Sequence, residues 1–206
     1  MIKDIERRAS ALGVETRADG DSKKTLVGYA ALFNSDTQIG DWFIERIAPG
    51  AFDEAIKGDV RALIDHDTGR VIGRTKSKTL RLKTDDKGLG VEIVVPDTVD
   101  GRDLLTLVER GDISGMSFGF RVTKQEWDET GNIPVRTILE VELFEVSAVA
   151  FPAYEDTEIG ARSMAATKAE LEAARAETQR KQDNAAAAKR RISSREREME
   201  HKFRGI

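Results

Sequence analysis

The sequence predicts a mainly β or α+β domain, a partly closed antiparallel β-barrel or a sandwich with a few helices, followed by a helix-prone tail. Three observations carry this. Short apolar or β-branched segments alternate with turn signals up to about Ile159, two helix-like stretches interrupt them, and from Met164 onward the composition turns to Ala, Glu, Lys, Arg and Gln. The expected division is a body of residues 1–163 and a tail of residues 164–206.

Taken in order, Leu26 to Phe33 reads as a strand behind the turn-rich Ala18-Asp-Gly-Asp-Ser-Lys. Pro49 to Lys57 reads as a helix, with proline in its first turn and Gly58 just past its end. Ala62-Leu-Ile-Asp-His-Asp reads as a strand ending in polar residues. Leu80 to Lys83 and Leu89 to Val95 flank Asp85-Asp-Lys-Gly, which predicts a hairpin whose second arm alternates Val91, Ile93 and Val95. Asp100 to Gly111 predicts a second helix, capped by Asp100 and ended by Gly111, with Leu104, Leu107 and Val108 on one face. Ser117 to Thr123 and Thr137 to Phe151 complete at least six strands.

The tail lacks any large apolar side chain between Leu171 and Ile192, so it has no stripe with which to dock on a core. A solvated helix or a partly disordered extension is expected. The formal net charge of −4 is unevenly spread, since residues 164–206 hold eleven Lys/Arg against seven Asp/Glu. A basic tail on an acidic body makes general nucleic-acid binding an unpromising function.

No apolar run approaches the roughly 20 residues of a spanning helix, and Met1 to Arg17 has no apolar signal-like core, so no membrane association or export is expected. The absence of cysteine removes disulfides, thiolate metal sites and cysteine nucleophiles, and is compatible with a reducing cytoplasm.

Three residues stand out chemically. His66 is one of two histidines, and the other, His201, lies in the tail. Ser117 sits in Gly111-Asp-Ile-Ser-Gly-Met-Ser-Phe-Gly-Phe, where period two places Gly115, Ser117 and Gly119 on one face and Met116, Phe118 and Phe120 on the other. Small neighbours leave room for a substrate backbone. Glu145, between Phe144 and Val146, has the most apolar setting of any carboxylate. Alternation groups it with Leu143 and Ser147.

Each residue also has a structural reading: a surface imidazole after a strand, a strand-entry serine, a carboxylate on a solvated edge. Together, however, they supply a nucleophile, a base and a group that orients the base. Asp65-His66-Asp67 invites a metal reading. Neighbouring strand residues point to opposite faces, though, and the body has no second histidine for a His-rich zinc site. No metal or cofactor is expected.

The motifs Gly28-Tyr-Ala-Ala-Leu-Phe-Asn, Ile47-Ala-Pro-Gly-Ala-Phe, Leu63-Ile-Asp-His-Asp with Ile72-Gly-Arg, Gly88-Leu, the Ser117 segment and Glu145-Val-Ser-Ala-Val-Ala-Phe-Pro-Ala, in that order, resemble the prohead proteases of HK97-like tailed phages. That family is similar in fold and mechanism to the herpesvirus capsid maturation proteases. The resemblance implies a serine endopeptidase with His66, Ser117 and Glu145 as its catalytic group. It implies cleavage of the scaffolding region of the major capsid protein inside the immature shell, the prohead, in the host cytoplasm, followed by self-cleavage. A homodimer is implied in the same way. Ser114 is the competing nucleophile, Glu142 and Asp65 the competing carboxylates, and Arg70, Arg74 and Arg136 the arginines that could lie near an oxyanion site. The basic tail would hold the protease to the scaffold. The alternative function is a catalytically inactive assembly protein with the same fold.

Overall fold

The computed structural model describes residues 5–10, 13–19, 23–151 and a series of residues between 169 and 190. The chain divides into Met1–Met164 and Ala165–Ile206. In the first unit the chain order is β1 (Glu6–Ser10), β2 (Glu15–Asp19), β3 (Lys23–Leu32), β4 (Thr37–Ile39), β5 (Phe43–Ile47), β6 (Arg61–Ile64), β7 (Asp67–Arg74), β8 (Leu80–Thr84), β9 (Gly88–Val94), α1 (Val99–Arg110), β10 (Gly115–Asp128) and β11 (Val135–Val149). The described residues between 169 and 190 are helical and exposed.

The expected partly closed antiparallel barrel does not form. Among the described residues the strands make two sheets, one ordered β1-β10-β11-β5-β4 with β6 and β7 attached through β11, the other ordered β2-β3-β9-β8. The reason lies in β11, which is long enough to serve two partners on one edge. Its first part pairs in parallel with β5 and its last part in parallel with β6, while β10 runs antiparallel along the other edge. The two sheets enclose a common core, in which Leu26, Leu89 and Ile93 meet Met116, Phe118, Phe120, Ile64 and Val146.

The helix predicted over Pro49 to Lys57 is a correction as well. This stretch is a series of turns ending in one 3₁₀ turn, Ala55–Lys57. It must carry the chain from β5 to β6 past the middle of β11, and its backbone is used for that purpose: the Ala51 carbonyl accepts from Val141 N at 3.2 Å. Phe52 is fully buried and meets Phe118 edge-on with ring centroids 5.5 Å apart. One buried aromatic fixes the crossing without a helix.

The second predicted helix is α1, but Thr98, not Asp100, caps it. The Thr98 hydroxyl accepts from Gly101 N at 3.2 Å, and Asp100 lies in the first turn, where its charge suits the helix dipole. Gly111 ends the helix at φ 81°, a left-handed conformation that glycine adopts without a Cβ penalty. Leu104, Leu105 and Val108 are buried, and Leu107 packs against the same core. No helix among the described residues is long and apolar enough to cross a membrane.

Candidate active site

His66 stands in the two-residue turn between β6 and β7, not on a strand. Ile64 pairs with Asp67 across it, and both central residues have positive φ, 47° at Asp65 and 59° at His66. Two left-handed residues match the twist of the flanking strands, though each non-glycine residue held there costs about 1–3 kcal/mol. Bonds to the end of β11 offset that cost. Asp65 N donates to Ala148 O at 3.0 Å, Ala150 N donates to the Asp65 carboxylate at 3.2 Å, and His66 N donates to Ser147 Oγ at 3.2 Å.

Glu145 reaches His66 because β11 is irregular. Gly119 pairs with Glu145, yet the next residue, Phe120, pairs with Leu143, so Phe144 is an extra residue in β11. The bulge breaks the alternation that the sequence suggested. Val141 and Leu143 before it, and Val146 and Ala148 after it, all enter the core, while Glu145 and Ser147 emerge on the opposite face. Glu145 therefore does not share a face with Leu143. On β10 the predicted alternation holds, with Met116, Phe118 and Phe120 in the core.

On that outer face Glu145 Oε1 lies 2.7 Å from His66 Nδ1, and Glu145 Oε2 accepts from Ser147 Oγ at 2.6 Å. A carboxylate oxygen opposite Nδ1 assigns the ring hydrogen to Nδ1 and leaves the lone pair on Nε2. Gly119 makes the space: a Cβ built on it would overlap Glu145 Oε1. Ser147, fully buried, is a participant that sequence reading passed over. Its only sequence signal was its position two residues after Glu145.

Ser117 lies in β10 directly opposite Ser147 of β11 and Ala9 of β1. It is 2% exposed, so the room expected beside it is occupied. Its Oγ donates to the carbonyl of Arg8 at 2.8 Å and makes no hydrogen bond to His66. The structure thus joins His66 to Glu145 and sets Ser117 on the neighbouring strand of the same face, turned toward β1.

The remaining candidates are placed elsewhere. Ser114 is exposed, Glu142 is exposed and paired with Arg121, and Asp67 accepts from Gly69 N at 2.8 Å. Arg74 is held by Asp59 at 2.5 and 2.7 Å, and Arg70 lies 3.4 Å from Asp100. Arg136 is fully buried on the core side of the sheet, away from Ser117. There it meets Glu6 at 2.8 Å, Glu45 at 3.0 Å and Gln125 at 2.6 Å. Arg8 completes this cluster, with Glu45 at 2.6 Å and Glu6 at 2.9 Å. Burial opposes the charge of Glu45, but Arg8 and Arg136 beside it outweigh burial and hold its carboxyl below the usual range.

A histidine bonded to a carboxylate, with a serine on the neighbouring strand of the same face, supplies the residue types of a serine protease site. The chain belongs to the caudovirus prohead serine proteases, whose family model matches residues 12–170. It is a serine protease. The prohead protease of Enterobacteria phage HK97 is 34% identical over 168 residues, 78% of this chain and 70% of that protein. The prohead protease of Escherichia phage T5 is 34% identical over 95 residues, 46% of this chain and 42% of the relative. Among solved structures, the capsid assembly protease of bacteriophage T4 is similar at 11% identity with a TM-score of 0.46, over 70% of this chain and 98% of that one.

Proposed function

We propose that the chain is an endopeptidase in which Ser117 is the nucleophile, His66 the general base and Glu145 the group that orients it. The 2.7 Å contact between His66 Nδ1 and Glu145 carries this reading, because it leaves Nε2 as the basic atom of a ring bonded to Glu145, whose face of the sheet also holds Ser117. In the reaction Ser117 Oγ leaves the Arg8 carbonyl and passes its proton to Nε2 as it attacks the scissile carbonyl. The imidazolium, stabilised by Glu145, protonates the leaving amine. Water then attacks the acyl-enzyme by the reverse proton path and releases Ser117.

The substrate is the scaffolding region of the phage major capsid protein, cut inside the prohead in the host cytoplasm, with self-cleavage following. The family's description and the relatives' names support this choice. The protease works as a homodimer, and residues 164–206 hold it to the scaffold by their positive charge.

Coexpression with the phage's own capsid protein tests the proposal. Wild type and Ser114→Ala shorten the capsid protein, and Ser117→Ala and His66→Ala do not. A serine-acylating fluorophosphonate labels Ser117 in the wild type, located by peptide mass mapping. Persistent shortening in Ser117→Ala transfers the nucleophile role to another serine. Absence of shortening with every variant returns the chain to the assembly-only reading.

A further inference from the structure

We infer that Ser147 is a positioning residue of the site, whose hydroxyl sets both the carboxylate of Glu145 and the backbone of His66. The inference rests on the assignment of His66 and Glu145 as base and orienting group. One oxygen makes two bonds with opposite polarity. It donates to Glu145 Oε2 at 2.6 Å and accepts from His66 N at 3.2 Å. It is fully buried, so no water replaces either bond cheaply.

The two bonds do different things. Donation to Oε2 fixes the rotation of the Glu145 carboxylate, so that Oε1 stays directed at Nδ1, 2.7 Å away. Acceptance from His66 N holds a residue at φ 59°, a conformation that needs outside support. Ser147 therefore couples the backbone that presents the imidazole to the carboxylate that orients it. It can do so because Glu145 and Ser147 emerge together on the outer face beyond the bulge, and Leu63 of β6 pairs with Ser147 two residues before Asp65.

Ser147 is not a second nucleophile, since its hydrogen is committed to Glu145. Most of the other charged groups on the strands around His66 have partners of their own. Asp65 and Asp67 accept from Ala150 N and Gly69 N, and Arg61, opposite Glu145 on β6, lies 3.6 Å from Asp59. Arg74 is opposite Arg61 on β7 and bound to Asp59, whereas Arg7, opposite Gly119 on β1, has a buried Nε without a hydrogen-bond partner among the described residues. The hydroxyl of Ser147 is the neutral group that decides where the Glu145 charge points.

The test compares full-length Ser147→Ala, Ser147→Cys and Ser147→Thr with wild type by the second-order rate of fluorophosphonate labelling at Ser117 across a pH series. This needs no knowledge of the natural substrate. Alanine and cysteine lose the strong donor while keeping a small side chain, and threonine keeps the hydroxyl. Labelling is expected to fall at least about tenfold in the alanine and cysteine variants, the effect of losing a hydrogen bond to a charged group. The rising limb of their pH profiles is expected to move to lower pH, because a turned-away carboxylate no longer favours the imidazolium. Threonine restores both the rate and the limb.

A merely structural serine would lower the fraction of labelled protein without moving the pH limb. An unmoved limb in Ser147→Ala and Ser147→Cys overturns the inference, as does a threonine variant that behaves like alanine. Ser117→Ala is run alongside. Unchanged labelling in that control refutes the nucleophile, a failure separate from that of Ser147.

Discussion

Gly119 shows how narrowly the site is cut at the scale of one residue. In the sequence Gly119 reads as room for a substrate backbone beside Ser117, yet a Cβ there would lie only 2.4 Å from Glu145 Oε1. Gly119→Ala must push the carboxylate off Nδ1 or shift β10. Misplacement of an orienting group by about 1 Å can cost about 100-fold in rate, whereas overpacking of this size destabilises by about 1–3 kcal/mol. Fluorophosphonate labelling is therefore expected to fall by about two orders of magnitude while the urea midpoint drops only modestly. If both fall in step, the glycine serves the fold and not the site. His66 and Glu145 stand out in the sequence as the one histidine of the body and a carboxylate between Phe144 and Val146. The roles of Ser147 and Gly119 do not, because they come from where Glu145 points. A strict period of two points it along with Leu143, and the extra residue at Phe144 cancels that period.

At the scale of the element, the β6–β7 turn determines whether the imidazole is presented at all. Asp65 contributes twice, by tolerating φ 47° and by accepting from Ala150 N. Asp65→Gly keeps the first contribution and loses the second, whereas Asp65→Ala loses both. Urea unfolding is expected to rank them wild type, then glycine, then alanine, with alanine down about 1–3 kcal/mol. Labelling rates should follow the same order. An alanine variant as stable as the glycine variant would show that the left-handed backbone carries no strain. Elements with a local signal were legible: the β8–β9 hairpin from Asp85 and its neighbours, and α1 from its apolar face and Gly111. The stretch from Pro49 to Lys57 had proline and glycine in helical places, but Phe52 and the Ala51 carbonyl commit it to tertiary partners that no local pattern reveals. The strand Glu6–Ser10 was missed for the opposite reason, since a run of charged residues has no apolar period to read.

At the scale of the whole first unit, that missed strand joins the core to Ser117. Glu6 and Arg8 of β1, Glu45 of β5 and Arg136 of β11 form a balanced cluster of two acids and two bases on the core side of the large sheet. On β1 the carbonyl of Arg8 accepts the Ser117 hydroxyl. Balance is what makes such burial tolerable, and removal of one member leaves an uncompensated charge at a cost of about 3–5 kcal/mol. Glu45→Gln is expected to lose about that much in urea unfolding, because Arg8 and Arg136 are left with Glu6 alone. The pH dependence follows from the lowered pKa of Glu45. In the unfolded chain this carboxyl protonates in the ordinary range, and in the folded chain it does so only at lower pH. Its contribution is therefore full above the unfolded value and is lost as pH falls through the folded one. Unfolding free energies collected from neutral pH downward, with Trp42 and Trp127 as fluorescent reporters, should decline steeply for the wild type once pH drops below the ordinary carboxylate range. The decline should be shallower for Glu45→Gln, which has no proton to take up at that position. Parallel acid limbs in the two proteins would mean that other carboxylates carry the acid sensitivity, and that β1 is held against Ser117 by its backbone pairing with β10 and not by its charges.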